Sequence, residues 1–147
     1  MSNPRDRTLH EHVHQEHEEL RERFASIHRA LADPAASPVS VAETLQSLDR
    51  HLQEHFDDEE GTGSFFDAVC AQAPRLSQRA EALKQEHAWL GNALRELIEC
   101  VDQPKSVQWR EELEAKFHEF SKSVMQHESK ENELLQEAYG DDIGSAD

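Results

Sequence analysis

The sequence predicts an all-α protein, an up-down-up-down antiparallel four-helix bundle. Three observations carry that expectation. Apolar residues recur at steps of three and four along nearly the whole chain, which is the period of an amphipathic helix. No segment shows the two-residue alternation of a half-buried strand. Helix breakers cluster in three places, Asp33 to Pro38, Gly61 to Pro74 and Asp102 to Pro104, leaving four periodic segments joined by short links.

The first segment carries Leu9, Val13, Leu20, Phe24, Ile27 and Leu31 on one face. The second carries Val41, Leu45, Leu48 and Leu52, with Ser37 as its N-cap and Pro38 in its first turn. The third starts near Pro74 and carries Leu76, Ala80, Leu83, Leu90, Leu94, Leu97 and Val101. The fourth carries Trp109, Leu113, Phe117, Phe120, Val124, Leu134 and Ala138. The tails, Met1 to Arg7 and Gly140 to Asp147, are expected to fray. At 147 residues the chain reads as one domain, with its core over about 9–139.

Fifteen Lys and Arg stand against 31 Asp and Glu, a formal charge of −16. That surplus repels phosphate backbones and anionic lipid, so neither nucleic acid nor a membrane surface is an expected partner. Cations are the natural ones. No stretch approaches the ~20 apolar residues of a membrane span. The charged start, Met1 to His10, has no apolar signal segment behind it, and the expected compartment is the cytoplasm. Cys70 and Cys100 are too few for a disulfide framework and read as small hydrophobes. The count that departs from expectation is histidine, at 10.

Each apolar stripe, written out in full, is interrupted by metal-competent side chains. His17 interrupts the first, His55 and Glu59 extend the second, His87 interrupts the third, and His127 and Glu131 interrupt the fourth. Residues four apart share a helix face, so each His-Glu pair looks into one space. The intervals from His17 to His55 and from His87 to His127 are nearly equal, and each hairpin turns near its midpoint, at about 36 and 107. Antiparallel helices would then hold all four imidazoles at one height. Burying such groups without partners costs several kcal/mol each. No Lys or Arg shares these positions, so the missing positive charge points to metal. Six nitrogen and oxygen ligands suit two borderline cations with bridging carboxylates better than one tetrahedral zinc, and a di-iron centre is favoured.

The other histidines, His10, His12, His14, His28, His51 and His118, fall on or beyond the stripe's shoulder and read as solvated or helix-flanking. His51, one turn before His55, is the best of them for a supporting contact. His10 to His14 matches the H-E-x-x-H pattern of zinc proteases, but in a His- and Glu-rich stretch such matches arise easily. Glu11 to His14 is the single Glu-x-x-His, where a ferritin-like bundle needs two. Cys70 lacks an identifiable base and reads as packing. The runs Glu18-Glu19 and Asp57 to Glu60 read as solvated faces, Glu59 excepted.

The ordered motifs His17-Glu18-Glu19-Leu20, His55-Phe56-Asp57-Asp58-Glu59-Glu60, Glu86-His87-Ala88-Trp89-Leu90 and His127-Glu128-Ser129-Lys130-Glu131 resemble the hemerythrin-like (HHE cation-binding) family over residues 9 to 139. The resemblance implies a hemerythrin-like bundle around two iron ions in an oxo- or hydroxo-bridged non-haem centre. His17, His55, His87 and His127 would be terminal ligands, and Glu59 and Glu131 would bridge. Zinc or manganese stand behind iron as occupants. Oxygen-carrying members have a further His where this chain has Gly91, and an Asp where it has Asn132, so Glu131 must serve. His14, Asp58 and Glu60 are the candidates to fill the position left at Gly91.

Two functions follow as expectations. In one, the centre binds or reduces a small oxidant such as oxygen, peroxide or nitric oxide, behind an apolar wall of Leu20, Leu52, Leu90 and Val124. In the other, the chain is a non-enzymatic iron or oxygen sensor, or a metal-binding module, whose occupancy controls stability and partner contact.

Overall fold

The structure is a computed structural model that describes residues 4–103 and 107–140. Four long helices, α1 (Pro4–Ala32), α2 (Pro38–Glu60), α4 (Ser77–Asp102) and α5 (Trp109–Tyr139), are joined by short links and one short helix, α3 (Phe65–Gln72). Among the described residues there is no strand. At α2 the Ser37 hydroxyl accepts a hydrogen bond from the Ser40 amide at 3.1 Å, and Pro38 fills the first turn, where its missing N–H costs nothing.

Two boundaries differ from expectation. α1 extends back to Pro4, so residues 4–7 are helical and not frayed; the fraying expected of residues 1–3 and 141–147, and the break at Pro104, lie outside the described residues. The stretch from Gly61 to Pro74, read as a link, contains α3. Gly63 does break the chain, with φ at +74°, and its amide donates to the Asp67 carboxylate at 2.9 Å. The chain then re-forms a helix whose Phe65, Phe66 and Val69 are buried. Eight residues are too few to display a helical period. A 3₁₀ turn at Pro74–Leu76 follows, and α4 begins at Ser77, whose hydroxyl donates to the Pro74 carbonyl at 2.8 Å.

The predicted stripes are the core. All their apolar residues are buried except Leu9 and Trp109, which are half-buried. They form two clusters. One holds Leu20, Leu52, Leu90 and Val124 with the rest of the bundle toward the α1–α2 link. The other holds Val13, Leu83 and Leu134 with the α3 residues Phe65, Phe66 and Val69. On α1, α4 and α5 the change from one cluster to the other falls at the histidine, in one order on α1 and α4 and in the opposite order on α5, while α2 contributes to the first cluster alone, as far as Phe56. Arg110, at the start of α5, donates to the carbonyls of Asp33 and Ala36 and so ties α5 to the link after α1.

Phe66 is 2% exposed and Val39 is 68% exposed. Phe66→Ala is expected to cost about 3–5 kcal/mol in chemical denaturation, because it opens a cavity under α3. Val39→Ala should stay within roughly 0.5 kcal/mol of wild type.

Candidate metal centre

All six predicted site residues converge. His17 comes from α1, His55 and Glu59 from α2, His87 from α4, and His127 and Glu131 from α5, and each is 5% exposed or less. They make two groups whose ligand atoms lie within 4.8 Å of one another, His17, His55, Glu59 and Glu131 in one and Glu59, His87, His127 and Glu131 in the other. Both groups share Glu59 and Glu131. His55 and His87 bring Nε2 to 3.4 and 3.3 Å from Glu59 Oε1. His127 Nε2 lies 3.4 Å from Glu131 Oε2, and His17 Nε2 lies 3.1 Å from Glu131 Oε1. Such groups could hold a metal ion.

The outward ring nitrogens are held by a second set of carboxylates. His55 Nδ1 meets Glu16 at 2.7 Å, His87 Nδ1 meets Glu60 at 2.8 Å, and His127 Nδ1 meets Glu86 at 2.9 Å. Glu128 stands 3.6 Å from His17 Nδ1. A carboxylate that accepts the Nδ1 proton leaves the Nε2 lone pair facing inward, the tautomer that binds metal. The pattern is cyclic. Glu16 on α1 holds the α2 histidine, Glu60 on α2 holds that of α4, Glu86 on α4 holds that of α5, and Glu128 on α5 faces that of α1.

These four carboxylates escaped the sequence reading, although each lies next in sequence to an inward residue. At 3.6 residues per turn a neighbour points about 100° away, toward the adjoining helix. Glu60, read as solvated, is exposed yet bonded to His87. His51 does not support His55, because Glu16 occupies Nδ1. None of the three candidates for the position at Gly91 reaches the centre. His14 pairs with Glu18 at 3.3 Å on the surface, Asp58 with His12 at 3.1 Å, and Glu60 with His87. Gly91 itself is buried, and a Cβ there would lie 2.8 Å from Gln53 Nε2 and 3.1 Å from an Arg95 nitrogen. His28 is not solvated: its ring is half-buried, 4.9 Å from that of Phe117, and it meets the Ser121 hydroxyl at 3.2 Å. The two apolar clusters meet around His87, whose ring stacks 3.8 Å from that of Phe56 and lies 5.6 Å from the tilted ring of Phe66.

The donor set fits a cation. Both Glu59 oxygens, Glu131 Oε2 and the Nε2 atoms of His87 and His127 are buried without a hydrogen-bond partner. Each such atom carries a desolvation cost that an ion among them would offset. Burial, with the Glu131 charge beside it, pushes the Glu59 carboxyl well above its ordinary value. Burial works the same way on Glu131, but the Glu59 carboxyl and the His127 and His17 imidazoles beside it hold it low. Burial opposes a charge on His127, yet Glu131 and Glu86 raise it; on His87 burial prevails and lowers it. Metal-free, Glu59 is thus pushed toward its neutral form and Glu131 toward its charged form.

Burial pushes the Glu128 carboxyl up to about 7, against the pull of His17 and Arg21. A carboxyl raised in the folded state adds stability that is complete below about pH 4.5 and is lost as pH rises through about 7. Glu128→Gln should remove that slope. In urea denaturation of metal-free protein the variant gains on wild type between pH 4.5 and 7, by up to about 3 kcal/mol.

No match is found among curated proteins or among solved structures. A family model, the hemerythrin HHE cation binding domain, matches residues 8–139, which contain all six inward residues and all four carboxylates behind them. With nearly the whole chain matched, and with buried His and Glu groups able to take a cation, this protein belongs to the hemerythrin HHE cation-binding domain family.

Proposed function

We propose that the chain is a non-haem di-iron protein that binds or reduces a small oxidant, oxygen, peroxide or nitric oxide, with His17, His55, Glu59, His87, His127 and Glu131 as ligands. One observation carries this reading: two His-and-carboxylate groups share Glu59 and Glu131, and most of their inward atoms have no protein partner. Iron bound there would supply Lewis acidity and electrons. The chain does the rest. Glu59 and Glu131, common to both groups, would hold both ions, Glu16, Glu60 and Glu86 fix three imidazoles in the binding tautomer, and Leu20, Leu52, Leu90 and Val124 form an apolar wall on one side of the layer. Zinc or manganese are the alternative occupants. The order in which the helices pass between the two apolar clusters, the same on α1 and α4 and reversed on α5, supports an up-down-up-down arrangement of one domain. No helix of the described residues is long and apolar enough to cross a membrane; we place the protein in the cytoplasm, with no nucleic-acid or membrane partner.

A second reading, a sensor or metal-binding module without turnover, is favoured by the polar layer that divides the core. Occupancy of that layer changes stability directly, and so can change a surface.

Protein from iron-supplemented cells is expected to contain about two irons per chain, as in other carboxylate-bridged bundles, with ligand-to-metal bands in the near ultraviolet. Rapid consumption of peroxide or nitric oxide selects the first reading, and iron binding without consumption selects the second. Colourless protein that also refuses ferrous iron anaerobically overturns both.

His127→Ala should lower iron content and melting temperature together, since it removes a ligand and leaves Glu131 poorly compensated. His118→Ala, on an exposed position, should change neither.

A further inference from the structure

A cavity of about 330 Å³ opens on the surface between α1, α2 and the start of α3. Its walls run from exposed His12 and Asp58, through half-buried Glu16, to buried His55 and Glu59. At the outer end, His12, Glu16 and Asp58 bring one ligand atom each within 4.8 Å of one another. His12 Nε2 lies 3.1 Å from Asp58 Oδ2 and 3.4 Å from Glu16 Oε1. Among the described residues no Lys or Arg lines it. At the inner end stands Glu59, 3% exposed, with both carboxylate oxygens unpartnered.

We propose that His12, Glu16 and Asp58 form an outer site for a divalent cation at the mouth of this cavity, and that cations load the buried centre through it. One imidazole and two carboxylates suit a borderline or hard ion such as ferrous iron or manganese, and the open sides leave room for its remaining waters. The site is half-exposed, so it holds an ion loosely enough to release it. Glu16 joins the two sites: one oxygen faces His12, and the other accepts the Nδ1 proton of His55 at 2.7 Å. An ion leaving the outer site finds Glu59 on the same cavity wall, and the acidic surface of a chain with formal charge −16 concentrates cations at the entrance. The loading role rests on the reading of the inner centre as a metal site; the outer site does not.

The test is Mn²⁺ binding to the full chain, counted by electron paramagnetic resonance, in wild type and in His12→Asn/Asp58→Asn. Glu16 is kept because it also orients His55. Wild type should bind one more Mn²⁺ per chain than the variant, and anaerobic uptake of limiting ferrous iron should be about tenfold slower in the variant, with the same final iron content. Equal Mn²⁺ counts overturn the outer site, and equal uptake rates overturn its loading role. Ions that remain in the variant report on the inner centre: a variant that binds neither Mn²⁺ nor ferrous iron, beside a wild type that binds one Mn²⁺, keeps the outer site and overturns the inner reading instead. Should the double variant melt early, Asp58→Asn alone must show the lost ion.

Discussion

A layer of buried imidazole and carboxylate groups, lacking enough hydrogen-bond donors and positive charge of its own, is the constraint around which this bundle is built. Hydrophobic packing alone would favour an uninterrupted apolar stripe on each helix. Here every long helix gives up at least one core position to the layer, and α2 and α5 give up two. Glu59 and Glu131, both nearly inaccessible to water, would be a liability in a bare protein. Their burial makes physical sense as the binding surface for cations.

The layer is held from outside by a ring of carboxylates that passes from helix to helix. Because each of these residues neighbours an inward one, the helix turn that aims one side chain at the centre aims the next at the adjoining histidine. Fixing the rotation of one helix therefore constrains the imidazole of another, and from α5 back to α1 Glu128 faces His17 at 3.6 Å without a hydrogen bond. Lys130 extends the ring to the surface, donating to Glu86 at 3.1 Å. Rigid ligands of this kind lower the reorganisation a bound ion would demand.

Much of this was legible in the sequence. The step of three and four located the four long helices, and the polar gaps in the stripes located His17, His55, Glu59, His87, His127 and Glu131, because a buried charged side chain is a departure that periodicity exposes. α3 was not legible: eight residues flanked by glycine and proline carry no period, and Phe65-Phe66 fits a loop as well as a helix. The outer carboxylates were hidden for another reason. A Glu on the shoulder of a stripe looks like any solvated Glu until the neighbouring helix is in place, and Glu16, Glu60, Glu86 and Glu128 all acquire their role from a different element. The space at Gly91 was hidden too, since Gln53 and Arg95 approach it only in the folded chain.

His87, stacked on Phe56 and beside the tilted ring of Phe66, touches both hydrophobic bodies that the polar layer divides. A bundle so divided would open as two foldons riveted at that ring. Tightening the rivet makes the molecule cooperative from end to end; loosening it lets the end that contains α3 breathe while the larger body keeps its shape. Amide protection around Phe65–Gln72 would then act as a gauge of what the interior holds.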